Sequence, residues 1–326
     1  MTIFRCSEII LYALRKITTP KVSRSVRDQI VVMISVTILT KNSARHLDPV
    51  LDAVRAFDEV VILDSGSSDD TLEIARQFSN VKIHTTRFKG FGALHNEASA
   101  LARNDWIFSL DSDEVMTTEL VREIRSLVLD EAAVYSVCMH NYYNGKWIRR
   151  CGWYPDRHVR LFYRLNTRFT ENEVHERILT DGLRELALAG PVQHYSFSCV
   201  ADFIAKAQLY SDLFARQHQG KKSSSIGKAT RHGIAAFAKS FLIKRGFLDG
   251  REGFIVSAAN AMGTFYKYLK LMEANEKRGV SNVAHPDVSP GRPVLHSIAE
   301  GGRPALGCRQ SRAGARSPLR ISAPPV

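Results

Sequence analysis

Residues 106–114 read WIFSLDSDE, an apolar run that ends in Asp111-Ser112-Asp113. A bulky apolar run this short is a buried strand, and its polar end marks where the chain leaves a sheet. The pattern recurs upstream. Residues 34–39 and 60–63 are β-branched apolar runs, and 81–85 is a third strand. Between them Leu47, Val50, Leu51 and Val54 recur at helical spacing. Asp70 with Glu73 has the form of a capping box opening a helix through Phe78, and 93–102 reads as a further helix. Strand and helix in alternation predict an α/β fold with a mostly parallel sheet and right-handed crossovers. In such sheets ligands bind beyond the carboxyl ends of the strands. Those ends carry Thr40-Lys41-Asn42, Asp64-Ser65-Gly66 and Asp111-Ser112-Asp113-Glu114.

Further along, 117–129 reads as a helix, 134–195 as short strands rich in aromatics, and 200–218 and 228–275 as helices. The expected organisation is an N-terminal extension (1–32), a catalytic domain (33–197), a basic helical region (198–278) and a disordered tail (279–326). Within the extension, 3–17 has the spacing of a short amphipathic helix. The tail from 281 holds seven of the eleven prolines, with Gly, Ser and Arg and no periodicity.

Among the 326 residues, 44% are apolar and 24% charged, which excludes a collagen or a wholly disordered chain. No run of 18 apolar residues exists, so no conventional membrane span is expected. The five cysteines are scattered and form no CxxC, which favours a reducing compartment over a disulfide framework. Much of the net charge of +12 lies at the two ends and in 216–252, where nine Lys or Arg face two acids. Such a strip suits an anionic membrane surface or phosphate-bearing ligands, or is a solvated face. Nucleic acid is not expected, because the cations lack interleaved aromatics.

Asp111 and Asp113, two carboxylates at i and i+2, repel each other unless a hard divalent cation sits between them. Mg²⁺ or Mn²⁺ does this and leaves room for substrate phosphates. The alternative is a pair of solvated turn aspartates. Asp64 can accept the imide N–H of a uracil if Asp69 and Asp70 do the capping. Thr40 and Asn42 can hold the same nucleotide or form a polar loop. His194 is a metal ligand, a diphosphate donor or a core histidine. Trp153 and Tyr154 stack on a sugar face or belong to the core.

Four segments in this order, ISVTILTKN, VVILDSGSSDDT, FKGFGALHNEA and WIFSLDSDE, resemble glycosyltransferase family 2 with the Rossmann-like GT-A fold. The segments GWYPDRHVRLFYR, NEVHERI, VQHYS and KRGFLDGREGF resemble its bacterial lipopolysaccharide inner-core β-1,4-glucosyltransferase branch. The resemblance implies an inverting transferase that uses a UDP-sugar and a divalent metal. It places Asp64 on uracil, Asp111 and Asp113 on the metal and diphosphate, and Glu176 near the acceptor. His95-Asn96 stands where the family usually has Arg-Asn or Lys-Asn, so a permanent positive charge is missing there.

Inversion needs one displacement and a general base. Asp156, Glu173 and Glu176 are the available carboxylates, with Glu176 preferred by motif position; Arg157 and Arg177 are potential ion-pair partners. The basic amphipathic stretch 231–247 either meets a membrane or packs on the catalytic domain. The implied partners are a UDP-sugar donor, a lipid-linked saccharide acceptor and a peripheral contact with the cytoplasmic side of the inner membrane. Other readings are a family 2 transferase with another polysaccharide or a protein as acceptor, and a sugar-1-phosphate nucleotidyltransferase. The latter needs a Gly-rich loop after the first strand, and residues 40–43 contain no glycine.

Overall fold

A computed structural model describes residues 33–171 and 176–284, with 278–284 as backbone only. The expected helix at 3–17, the tail beyond 284 and Glu173 lie outside the described residues. The described residues up to Gly279 belong to one compact unit.

The parallel half of the sheet forms where the apolar runs predict it. Strands β1 (Ile34–Thr40), β2 (Glu59–Asp64), β3 (Val81–Thr85) and β4 (Trp106–Asp111) lie in the order β3-β2-β1-β4, all parallel. Helices α1 (Ala44–Ala53), α2 (Thr71–Ala75) and α3 (Phe91–Leu101) make the crossovers. Alternation along β2 explains the burial. Val60 and Ile62 face one side with Leu47, Val50 and Leu51 of α1, while Leu63 faces the other with Leu94 and Ala98 of α3. Leu51 is fully packed, and its truncation to Ala would cost about 2–5 kcal/mol.

Past β4 the sheet becomes mixed. Short β5 (Glu114–Met116) leads to α4 (Thr118–Ser126), β6 (Ala133–Tyr143), β7 (Lys146–Trp147), β8 (Arg157–Tyr163) and β9 (Arg184–Phe197). The order continues β4-β8-β6-β9-β5, with β8 antiparallel to β4 and β5 antiparallel to β9. This return of the chain brings residues from β8 and β9 beside the end of β4.

The helical region comprises α5 (Val200–His218), α6 (Ile226–Ala238) and α7 (Gly250–Ala284). The continuous helix expected over 228–275 is interrupted by a π-turn (Lys239–Ile243) and a 3-10 turn (Gly246–Asp249). Close packing requires the break. A Cβ on Gly246 would sit 2.7 Å from Cys151 Sγ, and one on Gly253 would collide with the Gly246 carbonyl. Among the described residues no helix is long and apolar enough to cross a membrane.

Candidate active site

Charged side chains cluster at the end of β4. Asp111 closes the strand, and its backbone N–H donates to Glu114 Oε2 at 2.9 Å. Arg160, from antiparallel β8, reaches across and donates to Asp111 Oδ2 at 2.9 Å and to Glu114 Oε1. Burial alone would raise the Asp111 carboxyl, but the Arg160 guanidinium overrides it and holds the group well below the carboxylate range. Glu114 is fully buried, and burial pushes it up to about 7 despite the same guanidinium. From sequence Glu114 is only part of the strand-end motif with no role of its own, and Arg160 carries no motif. The available signal was an arginine set among apolar Val159, Leu161 and Phe162.

Asp113 follows in the turn. Its Oδ1 lies 3.6 Å from His194 Nε2, because β5 pairs with β9 in the register Glu114↔His194. Asn141 Oδ1 lies 2.9 Å from His194 Nδ1 and Ser196 Oγ 2.9 Å from Nε2, so a neutral His194 protonated on Nδ1 accepts from Ser196 on an Nε2 that lies on the Asp113 side. Burial lowers the His194 pKa, but hydrogen bonding and charge from Asp113 and Glu114 raise it above the usual value. A hard oxygen donor and an imidazole therefore converge. Among the described residues no group of three or more His, Cys, Asp or Glu side chains is placed to hold an ion. A two-donor pair fits a Mg²⁺ or Mn²⁺ that keeps its other positions for water and substrate phosphate.

The ends of β1 and β2 are arranged differently. Asp64 is buried and accepts four hydrogen bonds, from Gly66 N (2.9 Å), Ser67 N (2.8 Å), Ser67 Oγ (2.5 Å) and Thr40 Oγ1 (2.8 Å). Both oxygens are thus satisfied within the protein, and the uracil contact expected of Asp64 from sequence needs one of these donors to give way. Ser67 Oγ would have to swing away first. Burial raises the Asp64 carboxyl, but these donors outweigh it and lower the pKa. Asn42, with a left-handed φ of 53°, accepts from Ser68 N at 2.8 Å and thereby ties the two loops together. The predicted capping box is absent. Asp70 makes no side-chain cap, and Asp69 accepts from Thr71 N and Ala44 N instead. Ser43 Oγ and Ser112 Oγ, 2.8 Å apart, join this end to the Asp111–Asp113 turn.

Thr40, Asp111, Asp113, His194 and Glu176 line one cleft of about 560 Å³ beyond β1 and β4, bordered also by Lys41 and Lys206. Glu176 also faces an adjoining cavity of about 430 Å³ with Asp156 and Arg160. Among the described residues neither Arg157 nor Arg177 forms an ion pair with Asp156 or Glu176. Arg157 donates to the Ser136 and Leu188 carbonyls, Asp156 contacts His158 at 2.9 Å, and no ion pair joins Glu176 and Arg177. His95 stacks on Phe169 at 4.4 Å, and burial pushes it down to about 4, so it is neutral. Arg160 lines the same cavity of about 430 Å³ as His95. Trp153 packs on Phe197 and Phe203 and lines a separate cavity of about 480 Å³ that shares Lys206 and Tyr210 with the cleft. Tyr154 is half-exposed beside His140 and Trp147 and lines none of these three cavities.

Residues 35–185 match the family described as glycosyl transferase family 2. An uncharacterised glycosyltransferase of Rickettsia typhi is 29% identical, over 75% of this chain and 88% of its own length. The lipopolysaccharide core biosynthesis glycosyltransferase LpsC of Rhizobium meliloti is 23% identical, over 77% and 96%. Among solved structures, S. aureus TarS 1–349 with UDP-GlcNAc is similar at 15% identity and a TM-score of 0.37, covering 76% of this chain and 92% of its own. The chain is a glycosyltransferase, with a family 2 match over residues 35–185.

Proposed function

We propose that this protein moves a sugar, glucose by resemblance, from a UDP-sugar to a hydroxyl of a lipid-linked saccharide of the lipopolysaccharide inner core, with inversion. The observation that carries the reading is the convergence of Asp111, Asp113, His194 and Glu176 on one cleft beyond the parallel strands. The acceptor class draws support from the likeness to LpsC, which spans 77% of this chain.

In this reading the acceptor oxygen attacks the anomeric carbon from the face opposite the diphosphate. The bond from that carbon to the diphosphate oxygen breaks, and its electron pair leaves on the diphosphate. The acceptor proton passes to Glu176, whose carboxylate lines both halves of the site and has no ion-pair partner among the described residues. Asp113 and His194 would hold a divalent cation, which neutralises the charge that builds on the departing diphosphate. Arg160 keeps Asp111 ionised and fixed beside that pair. Lys206 brings a further positive charge to the edge of the cleft.

A panel of UDP-sugars incubated with Mn²⁺ and truncated lipopolysaccharide, followed by linkage analysis of the product, tests this reading. One UDP-sugar should be consumed with equimolar UDP release and a new inverted linkage. Turnover of none of them, with any acceptor of the panel, would overturn it.

A further inference from the structure

We propose that the elbow between α6 and α7 is a docking surface for an anionic lipid bilayer. This deepens the reading of a lipid-linked acceptor but stands on separate residues. Within the seven residues 242–248, Leu242 is 59% exposed, Ile243 74%, Phe247 48% and Leu248 56%. Lys244 and Arg245 lie between them, exposed, and neither forms an ion pair among the described residues. Four large apolar side chains held in water in so short a stretch, with two unpaired cations, are unlike the scattered apolar residues of an ordinary surface.

The elbow is not loose. Cys151 N donates to the Lys244 carbonyl at 3.3 Å, Arg150 N to Asp249 Oδ2 at 2.8 Å, and Lys146 Nζ to the Asp249 carbonyl at 2.6 Å. Gly246 and Gly253 are packed too closely to admit a side chain. The catalytic domain thus pins the turn while its apolar side chains point outward. Ring contacts run from Phe247 to Phe241, and from Phe241 to Phe237 and Phe254. They lead to an open groove of about 590 Å³ between α6 and α7, lined by Ile234, Leu242, Met262 and Phe265. A groove of that chemistry suits an acyl chain.

Charge selects the occupant. Of the two acids nearby, Asp249 is buried and accepts the Arg150 backbone N–H, and Glu252 pairs with Lys146 and Arg251. Among the described residues Lys239, Lys244 and Arg245 form no ion pair, and they surround an apolar tip, the pattern that binds anionic headgroups with shallow insertion. A symmetric contact with a second copy would bring these like charges together.

The test is sedimentation of the full chain with vesicles of three parts phosphatidylcholine to one part phosphatidylglycerol, and with phosphatidylcholine alone. Binding should require phosphatidylglycerol and weaken with salt. Leu242→Ser with Ile243→Ser, and separately Lys244→Glu with Arg245→Glu, should each reduce partition about tenfold or more, with an unchanged unfolding midpoint. If the apolar pair fails to fold, Ile243→Ser alone serves, with a smaller loss expected. No binding, equal binding to neutral vesicles, or unchanged binding in both variants would overturn the proposal. So would a dimer of the wild type that either variant splits. Partition is read without turnover, so failure here is distinct from failure of the proposed activity.

Discussion

Asp64 and Glu114 are both buried carboxylates beside the central strands, and they are held in opposite ways. Asp64 takes four neutral donors, three of them from the next three residues. Glu114 takes one backbone N–H and shares one guanidinium with Asp111. The first end is satisfied by neutral donors; the second depends on one guanidinium, Arg160, 46 residues from Glu114 and 49 from Asp111. A self-contained turn stabilises the frame. A charged end completed from afar is where a ligand's phosphates and a cation can be accommodated.

If that contrast is right, substitutions at the β4 end and its cleft act on turnover as well as stability, and Asn42 at the β1 end on stability alone. The largest effect is expected for Glu176→Gln, which should lower turnover about a hundredfold or more with donor affinity almost unchanged. Asp156→Asn should be milder, and steady-state kinetics of the two would reverse the assignment if Asp156→Asn proved the crippling change. Arg160→Met leaves Asp111 and Glu114 without their counter-charge and should cost about 3 kcal/mol in denaturant unfolding. A loss near zero would mean the guanidinium is not what holds that end.

The pH dependence separates the two carboxylates. Asp64 is lowered in the fold, so its contribution is present above the unfolded carboxylate value and is lost as pH falls. Glu114 is raised to about 7, so its contribution is fully present below the unfolded value and is lost as pH rises toward 7. Glu114→Gln should therefore flatten the decline in unfolding midpoint between about pH 5 and 7.5 and leave the acid limb in place. Persistence of the decline would assign it to another group. The smallest effect is expected for Asn42→Ala, which removes the tie to Ser68 at a cost of about 1 kcal/mol and leaves turnover close to wild type.

What the sequence reveals follows the same division. Strand β3 and helix α5 occupy the spans expected for them, because period and end signals are local. The helix after β2 stops at Ala75 rather than Phe78, and Asp69 does the capping expected of Asp70. The Asp111–Asp113 turn is legible because its residues are contiguous. Arg160 is not, since nothing near it in the chain announces a carboxylate partner 49 residues back. Asn141, which orients His194 across 53 residues, is hidden for the same reason. The break at 239–250 depends on how closely Gly246 and Gly253 pack, which spacing alone does not reveal.

The most direct test of the β4-end site is calorimetric titration of UDP into the wild-type protein and Asp113→Ala, each with and without Mn²⁺. The expected result is binding to the wild type that strengthens at least about tenfold with Mn²⁺, and no Mn²⁺ effect in a folded Asp113→Ala. UDP binding that is indifferent to Mn²⁺ in the wild type, or equally enhanced by it in Asp113→Ala, would contradict the assignment of the diphosphate and its cation to this end of the sheet.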